Sequence, residues 1–218
     1  MSFDDVDSRP PVDEQFFERL VEKTDNFGRL KWLGQPIWQN LLDLWTIQET
    51  IWEVRPALLV ETGTNRGGSA YFFAQLFELM NHGRVLTYDV EKLHDLSHPR
   101  IEFVLASSTG ADAYSRAERA AAECGGPVMV ILDSDHGQEN VTAELELYSG
   151  LVTPGSYILV QDGVIDTLPM FAAARPGPLP AIHSFLSAHP EFELDRVRSE
   201  RFLVTHHPDG WLRRCHPA

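Results

Sequence analysis

From residue 57 onward, short apolar runs alternate along the chain with stretches that carry apolar residues at helical spacing. The apolar runs read ALLVET, RVLTYDV, IEFVLA, VMVILD and SYILVQD, and helical spacing recurs at 68–80, 110–123 and 138–149. The run at 128–132 is apolar on both faces, which a strand tolerates when helices cover both sides of its sheet. This alternation predicts a doubly wound, mostly parallel α/β sheet of the Rossmann-like kind.

The residues before this alternation follow other patterns. Residues 1–15 are acidic, contain prolines and show no periodicity, so we expect a loose arm there. Residues 16–55 show two helical pieces interrupted around TDNFGRLKWLGQPIW, and Pro56 ends the second piece. We therefore predict an N-terminal helical cap over 16–55 and a sheet domain over 56–218.

The C-terminal stretch contains a turn signal between two apolar segments. Pro208, Asp209 and Gly210 separate RFLVTHH from GWLRR. Turn residues at such a position are typical of a connection between antiparallel strands. The pattern predicts an antiparallel hairpin at one edge of the sheet.

Composition restricts the partners of the chain. Its 218 residues carry a formal net charge of -14, which repels nucleic acid phosphates and anionic lipid, so a small-molecule partner is expected. No stretch approaches the roughly 18 apolar residues of a membrane span. Only Cys124 and Cys215 are present, and the first residues lack the pattern of a signal peptide. We therefore expect a cytoplasmic location.

The turn after the first predicted strand reads ETGTNRGGS, from residue 61 to residue 69. Ligands of doubly wound sheets bind beyond the carboxyl ends of the strands, so a cofactor is expected here. A phosphate-binding loop requires a lysine where Ser69 stands. A dinucleotide fingerprint requires a glycine where Asn65 stands, because a side chain there obstructs the pyrophosphate. Both familiar phosphate ligands are therefore disfavoured.

The remaining pattern, E-x-G-x-x-x-G, suits an adenosyl cofactor that has no phosphate. The carboxylate of Glu61 can attract a cationic ligand, and S-adenosyl-L-methionine (SAM) carries a sulfonium and an amino group. The predicted cofactor contacts in this turn are Glu61, Gly63, Thr64, Gly67 and Ser69. The alternative is that these glycines only form a tight strand-to-helix turn.

Further cofactor contacts are predicted at the ends of the next strands, namely Asp89, Ser107 and Asp133. RVLTYDV brings Asp89 to the place where an acid hydrogen-bonds the ribose hydroxyls of an adenosyl group. Ser107, after the third strand, can face the adenine. The alternatives are a turn aspartate for Asp89 and an ordinary loop serine for Ser107.

Acids and a histidine follow the fourth and fifth strands. Asp133 and Asp162 end neighbouring strands and can share a hard cation through oxygen, with Mg²⁺ the natural choice. Methyl transfer needs a nucleophilic hydroxyl, which a metal acidifies and a neutral base deprotonates. His136 is the predicted base, since a helix start and a nearby cation both disfavour its protonation. The alternatives are that Asp133 only stabilises a turn and that His136 is an ordinary surface histidine.

Several segments together resemble one family. They are WLGQPIWQNLLDLWTIQETIWEVRPALLVETGTNRGGSAYFF, VMVILDSDH, LVTPGSYILVQD, GPLPAI and RFLVTHHPDGWLRR. From about Leu30 to the C-terminus the chain resembles the cephalosporin hydroxylase family, which comprises SAM-dependent O-methyltransferases, including relatives that methylate rhamnosyl and macrolide sugars.

The resemblance implies roles for individual residues. It implies that Glu61, Gly63, Gly67 and Asp89 bind SAM, and it makes residues 56–218 a SAM-binding methyltransferase domain. The D-x-x-H motif of the sugar methyltransferase relatives implies a magnesium ligand at Asp133 and the catalytic base at His136. Their Glu-Asp metal pair falls on Gln161 and Asp162, so a neutral amide stands in place of one carboxylate. The relatives commonly assemble, so a homo-oligomer is expected.

The sequence thus predicts an O-methyltransferase that acts on a hydroxyl of a small molecule, a sugar or a natural-product scaffold. Magnesium assistance with weakened metal binding is expected because of Gln161, and catalysis by His136 without metal is the alternative. A noncatalytic SAM-binding accessory protein and a nicotinamide-dependent oxidoreductase are the other classes considered. The proline-rich segment 164–180 is predicted to form a mobile wall over the acceptor.

Overall fold

The computed structural model describes residues 12–24 and 29–216. A short antiparallel pair comprises β1 (Lys31–Trp32) and β2 (Gln35–Pro36). The strands of the main sheet are β3 (Leu58–Thr62), β4 (Arg84–Asp89), β5 (Ile101–Leu105), β6 (Val128–Leu132), β7 (Tyr157–Val160), β8 (Phe192–Leu194) and β9 (Trp211–Arg214). These seven strands are ordered β5-β4-β3-β6-β7-β9-β8, and β3 to β7 are parallel.

Helices cover both faces of this sheet. The α-helices are α1 (Val12–Thr24), α2 (Leu41–Val54), α3 (Gly68–Met80), α4 (Ala111–Glu123), α5 (Gln138–Tyr148), α6 (Val164–Thr167), α7 (Pro178–Ala188) and α8 (Arg196–Ser199), and 3-10 turns span Ser149–Leu151 and Pro169–Ala174. One core cluster joins Leu58 and Val60 to side chains of α4, α5 and α7. The other joins Leu59 to side chains of α2 and α3. The predicted doubly wound Rossmann-like sheet is therefore confirmed.

The strand order places a crevice at the centre of the sheet. After β3 the chain runs outward through β4 and β5, then returns to the other side of β3 for β6 and β7. Loops leave such a switch point in opposite directions, and the carboxyl ends of β3 and β6 consequently border an open crevice. The turn after Thr62 and the residues after Leu132 lie at this crevice.

The antiparallel C-terminal pair is present, but its first strand differs from the prediction. Strand β9 pairs antiparallel with β7 on one side and with β8 on the other. The segment 201–207, predicted as a strand, forms turns instead. The buried carboxylate of Asp43 accepts hydrogen bonds from the hydroxyl of Thr205, at 2.5 Å, and from the backbone N–H of His206, at 2.8 Å. These bonds hold the segment against α2, away from any strand partner.

The two predicted helical pieces of the cap are present as α1 and α2, with the β1–β2 pair between them. Helix α2 begins after Asn40, whose side-chain oxygen accepts a hydrogen bond from the N–H of Leu42 at 3.1 Å. It ends at Val54, and its C-cap residue, Arg55, directly precedes Pro56. Residues 12–15 of the predicted arm are helical, and its remainder lies outside the described residues. The division into arm, cap and methyltransferase domain stays a prediction.

The segment 164–180 is more ordered than a plain loop. It contains α6, the 3-10 turn Pro169–Ala174 and the start of α7. The carboxylate of Asp166 accepts hydrogen bonds from the backbone N–H groups of Gly177 and Leu179, both at 2.8 Å.

Across the described ranges, no helix combines the length and apolar character needed to cross a membrane.

Candidate functional site

The turn between β3 and α3 packs directly on the end of β6. Gly63 has a φ of +87°, and a Cβ atom there would lie 1.8 Å from the carbonyl oxygen of Asp133. No larger residue fits such an approach, whatever its conformation. The glycine therefore brings the ends of β3 and β6 together, which places the turn beside the residues that follow Leu132.

Asp89 holds the same turn from the other side. Its carboxylate accepts hydrogen bonds from the backbone N–H of Asn65 at 2.6 Å and from that of Glu91 at 3.0 Å. Asn65 has a left-handed backbone with a φ of 47°. Asp89 thus orients the glycine turn as well as lining a cavity next to it.

Glu61 lies beneath the turn and is fully buried. The hydroxyl of Thr87 donates to its carboxylate at 2.5 Å, and the hydroxyls of Thr64 and Thr87 lie 2.7 Å apart. Burial raises the pKa of Glu61 to about 7, against the hydrogen bonds from Ser69 and Thr87, which lower it. The ionised form of this carboxylate is therefore costly in the protein as it stands, and a positive charge nearby would favour it.

This burial predicts a pH-dependent stability difference for Glu61→Gln. A folded-state pKa raised from 4.5 to about 7 destabilises the wild type progressively as pH rises through that interval. We expect the variant to gain about 3 kcal/mol over the wild type at pH 8, with the gain shrinking toward zero near pH 4.5. Urea unfolding at several pH values measures it.

Glu118→Gln is the matched control, because Glu118 is exposed on α4 and the substitution makes the same change in net charge. A stability gain for Glu61→Gln that stays constant between pH 5 and pH 8 would contradict the assigned burial effect.

Two cavities meet at the carboxyl end of the sheet. The larger, of about 460 Å³, lies between the turn and the ends of β4 and β5, where Asp89 and Ser107 line it. The smaller, of about 240 Å³, contains His136 and Asp162. Both cavities are lined by Gly63, Asn65, Asp133 and Ser134. A molecule bound in the larger cavity therefore borders the charged side chains of the smaller one.

The structure brings most of the predicted site residues to these cavities. Those that line one or both are Gly63, Thr64, Ser69, Asp89, Ser107, Asp133, His136, Gln161 and Asp162. Glu61 and Gly67 line neither of them, and neither does any residue of 164–180. Direct contacts of these residues with a cofactor or an acceptor stay predictions.

Asp133, His136 and Asp162 form the charged centre of the smaller cavity. Nε2 of His136 lies 3.0 Å from Oδ2 of Asp162 and 3.9 Å from Oδ1 of Asp133. One potential ligand atom of each residue lies within 4.8 Å of those of the other two. Neighbouring parallel strands β6 and β7 supply the two acids, as predicted, because their carboxyl ends meet at one edge.

The pKa values of these groups move in different directions. Burial raises the pKa of Asp133 well above its usual value, and the charge of Asp162 adds to the effect. Burial alone would also raise the pKa of Asp162, but hydrogen bonds with His136 and His206 hold it well below the usual range. Burial alone would lower the pKa of His136, but Asp162 and Asp133 raise it to about 9.

With only the protein's own charges present, His136 is therefore an imidazolium at neutral pH. The helix start was expected to keep it neutral, but the adjacent carboxylates outweigh that effect. A cation held between the two acids would oppose this shift and favour the neutral imidazole. A neutral His136 at neutral pH therefore requires a nearby positive charge.

Two histidines that the sequence gave no reason to select also line the smaller cavity. Nδ1 of His206 lies 3.6 Å from Oδ1 of Asp162. Nδ1 of His207 accepts a hydrogen bond from the backbone N–H of Asp162 at 3.0 Å, which makes its tautomer and orientation specific. Asp162 itself has a φ of 59°, a conformation rare for a residue with a side chain. His207 thus stabilises an uncommon backbone conformation at Asp162, and His206 lies beside the carboxylate of the same residue.

The N-terminal cap supplies further lining residues. Trp38 is 54% exposed and lines the smaller cavity, whereas Trp32 packs edge-on against Phe72 with ring centroids 4.9 Å apart. Gln39 is buried, and its amide nitrogen donates to Asp133 and to Gln161. Nothing in the local sequence distinguishes Gln39, since it approaches the site only when α2 packs on the sheet.

Known proteins resemble this chain in sequence and in fold. A family model described as rhamnosyl O-methyltransferase/CmcI matches residues 25–215. The rhamnosyl O-methyltransferase of Mycobacterium bovis is 33% identical over 86% of this chain and 81% of its own length. That of Mycobacterium leprae is also 33% identical, over 84% of this chain and 82% of its own length.

Solved structures extend the likeness of fold. A structure of CmcI described with Mg and SAM has a TM-score of 0.69 at 18% identity, and the match covers 99% of this chain and 89% of CmcI. CalS11, described as a TDP-rhamnose 3'-O-methyltransferase, has a TM-score of 0.55 at 17% identity, and the match covers 91% of this chain and 86% of CalS11.

Proposed function

Because this chain belongs to the rhamnosyl O-methyltransferase/CmcI family, we propose that it methylates a sugar hydroxyl, with His136 as general base and Mg²⁺ as a helper. The family predicted from the sequence is thereby confirmed, and with it the class of the enzyme, a SAM-dependent O-methyltransferase. The acceptor, the base and the metal are the parts that we propose.

The observation that carries the proposal is the shared wall of the two cavities. Gly63 and Asp133 line both the larger cavity and the smaller one. A cofactor in the larger cavity and a hydroxyl in the smaller one would therefore meet at this wall. Methyl transfer requires such an approach, because donor and nucleophile react only when they are held in line at short distance.

The residues around the larger cavity suit an adenosyl cofactor. Its volume of about 460 Å³ lies in the range typical of small-molecule sites. Asp89 can accept hydrogen bonds from ribose hydroxyls, and Ser107 lies on the wall next to it. The buried carboxylate of Glu61 favours a positive charge above the turn. SAM bound here would supply an electrophilic methyl group on its sulfonium.

The smaller cavity suits a hard divalent cation. Asp133, Asp162 and the side-chain oxygen of Gln161 offer oxygen donors, which Mg²⁺ prefers. The raised pKa of Asp133 results in part from the charge of Asp162, and a cation between the two would relieve that repulsion. Mg²⁺ bound here would acidify a coordinated hydroxyl of the acceptor.

His136 then has a defined task. Its Nε2 faces the two carboxylates, and it can accept the hydroxyl proton once the negative charge around it is reduced. While the ring is protonated, Nε2 donates a hydrogen bond to Asp162, which orients the ring; the neutral base keeps its hydrogen on Nδ1, so the lone pair of Nε2 is free for the hydroxyl proton. His207 in turn holds the backbone of Asp162 through its N–H.

The acceptor that we propose is a deoxysugar unit such as rhamnose, which the names of the mycobacterial relatives and of CalS11 contain. The exposed indole of Trp38 lies on the wall of the smaller cavity and can cover the apolar face of a sugar ring. Cytoplasmic location and homo-oligomerisation remain part of the proposal.

Methyl transfer is tested directly by incubating the protein with SAM and a panel of hydroxylated acceptors, including TDP-rhamnose and a rhamnosyl glycolipid. The amount of S-adenosylhomocysteine formed is measured. We expect its formation to depend on the acceptor and to fall when EDTA removes the metal. Turnover unchanged by EDTA would reject magnesium assistance. Binding of SAM with no turnover on any rhamnose acceptor would reject the proposed acceptor.

Gln161→Glu is expected to strengthen metal binding. The substitution adds a carboxylate to a site that already has two, so Mg²⁺ affinity should rise on the order of tenfold. Without metal the added buried charge should lower the melting temperature, and Mg²⁺ should restore it. Calorimetric titration of Mg²⁺ and thermal melts with and without the ion measure both effects.

Gln48→Glu serves as the control, since Gln48 lies on α2 but lines neither cavity of the site. Equal Mg²⁺ affinities for the wild type and Gln161→Glu would show that residue 161 does not face the cation.

A further inference from the structure

Gln39 reaches the candidate metal centre from the N-terminal cap. Its amide nitrogen lies 2.9 Å from Oδ2 of Asp133 and 2.7 Å from Oε1 of Gln161, and it donates to both. Gln39 is only 5% exposed, and it lines the smaller cavity. A side chain from outside the sheet thus lies between two of the residues expected to hold the metal.

The polar groups of this cluster are only partly satisfied. Oε1 of Gln39 and Nε2 of Gln161 are both buried, and neither has a hydrogen-bond partner. A buried polar atom without a partner is costly, and native structures contain few of them. The amide of Gln39, a residue that lines the cavity, therefore has an acceptor oxygen that no hydrogen bond uses.

Rotation of the Gln39 amide by about 180° would exchange its oxygen and nitrogen with almost no change of shape. Oε1 would then occupy the present position of Nε2, beside the oxygens of Asp133 and Gln161. Three oxygens so close together repel each other unless a cation lies among them. Adjacent ligands of an octahedral Mg²⁺ with bonds near 2.05 Å lie about 2.9 Å apart, close to the distances measured here.

We propose that Gln39 is a ligand of the cation site, which it joins by turning its carbonyl oxygen toward the ion. This rests on the proposed magnesium assistance. The carboxylates of Asp133 and Asp162 balance the charge of a divalent ion, and the amide oxygens of Gln39 and Gln161 complete the set of donors from the protein. The N-terminal cap is thereby a functional part of the metal site.

The test compares Gln39→Met, Gln39→Glu and the control Gln48→Met by calorimetric titration of Mg²⁺ into protein saturated with S-adenosylhomocysteine. Methionine has a similar length to glutamine but no oxygen, so Gln39→Met should lower Mg²⁺ affinity by about tenfold or more. Gln39→Glu should raise the affinity. Gln48→Met should leave it unchanged.

Thermal melts separate ligation from simple packing. The loss of two buried hydrogen bonds lowers the melting temperature of Gln39→Met without Mg²⁺, and the Mg²⁺-induced rise above that value should in addition shrink. Equal losses with and without Mg²⁺, together with an unchanged Mg²⁺ affinity, would overturn the role of Gln39. If Gln39→Glu does not fold, Gln39→Met decides the question alone.

The wild type distinguishes this inference from the function on which it rests. Mg²⁺ binding that is equal in the wild type and Gln39→Met rejects Gln39 as a ligand and leaves magnesium assistance intact. A wild type that forms S-adenosylhomocysteine yet binds no Mg²⁺ rejects magnesium assistance and this ligand together.

Discussion

The His136→Ala variant is expected to lose methyl transfer by about 10²- to 10⁴-fold while it still binds SAM. Nε2 of His136 is the proton acceptor that we propose for the acceptor hydroxyl, and it lies 3.0 Å from Asp162 at the centre of the smaller cavity. The larger cavity, where the cofactor is proposed to bind, does not include His136 among its lining residues. Single-turnover rates and calorimetry with S-adenosylhomocysteine measure the two properties separately.

His183→Ala is the control for this loss. His183 also pairs with an aspartate, at 2.9 Å from Asp209, but its side chain is 56% exposed and lines neither cavity. We expect His183→Ala to retain the rate of the wild type. A His136→Ala enzyme with the rate of the wild type would remove His136 from the mechanism.

Gly63→Ala is expected to cost more than about 4 kcal/mol of stability and to abolish SAM binding. The new methyl group would lie 1.8 Å from the carbonyl oxygen of Asp133, so the ends of β3 and β6 would have to separate. That separation deforms the wall shared by the two cavities. Guanidinium unfolding and calorimetry with SAM measure the two losses.

Gly125→Ala is the control that separates the steric clash at residue 63 from the cost of a left-handed backbone. Gly125 also has a positive φ, of +68°, but a Cβ atom there would meet nothing within 4 Å. Its substitution should cost only about 1–2 kcal/mol, the penalty of a left-handed backbone for alanine. Similar costs at both glycines would show that β3 and β6 can move apart freely.

Much of the fold could be predicted because its signals are local. The strands β3 to β7 are short apolar runs, and helices α3 to α5 show helical spacing, so each element is visible within its own window. The segment 201–207 looked equally strand-like. It forms turns because Asp43, more than 150 positions earlier, accepts hydrogen bonds from Thr205 and His206. No local pattern carries that information.

The candidate site divides in the same way. Asp89, Asp133 and Asp162 could be grouped from the sequence alone, because parallel strands of a predicted sheet end at one edge. The pKa of His136 could not be predicted, since it depends on how closely two carboxylates from different loops approach one ring. The same holds for the pKa of Glu61, whose carboxylate is buried beside Ser69 of α3 and Thr87 of β4.

Periodicity and motifs are properties of neighbouring residues, and for that reason the class of the fold, the family and the strand ends at which the chemistry is expected all follow from the amino-acid order alone. The presence of Gln39, from the cap, and of His206, from a C-terminal turn, beside the acids of the sheet follows from tertiary packing. Their approach results from the packing of α2 and of the 201–207 turns on the sheet. Contacts between residues so distant in the chain arise from that packing and leave no periodic trace in the sequence.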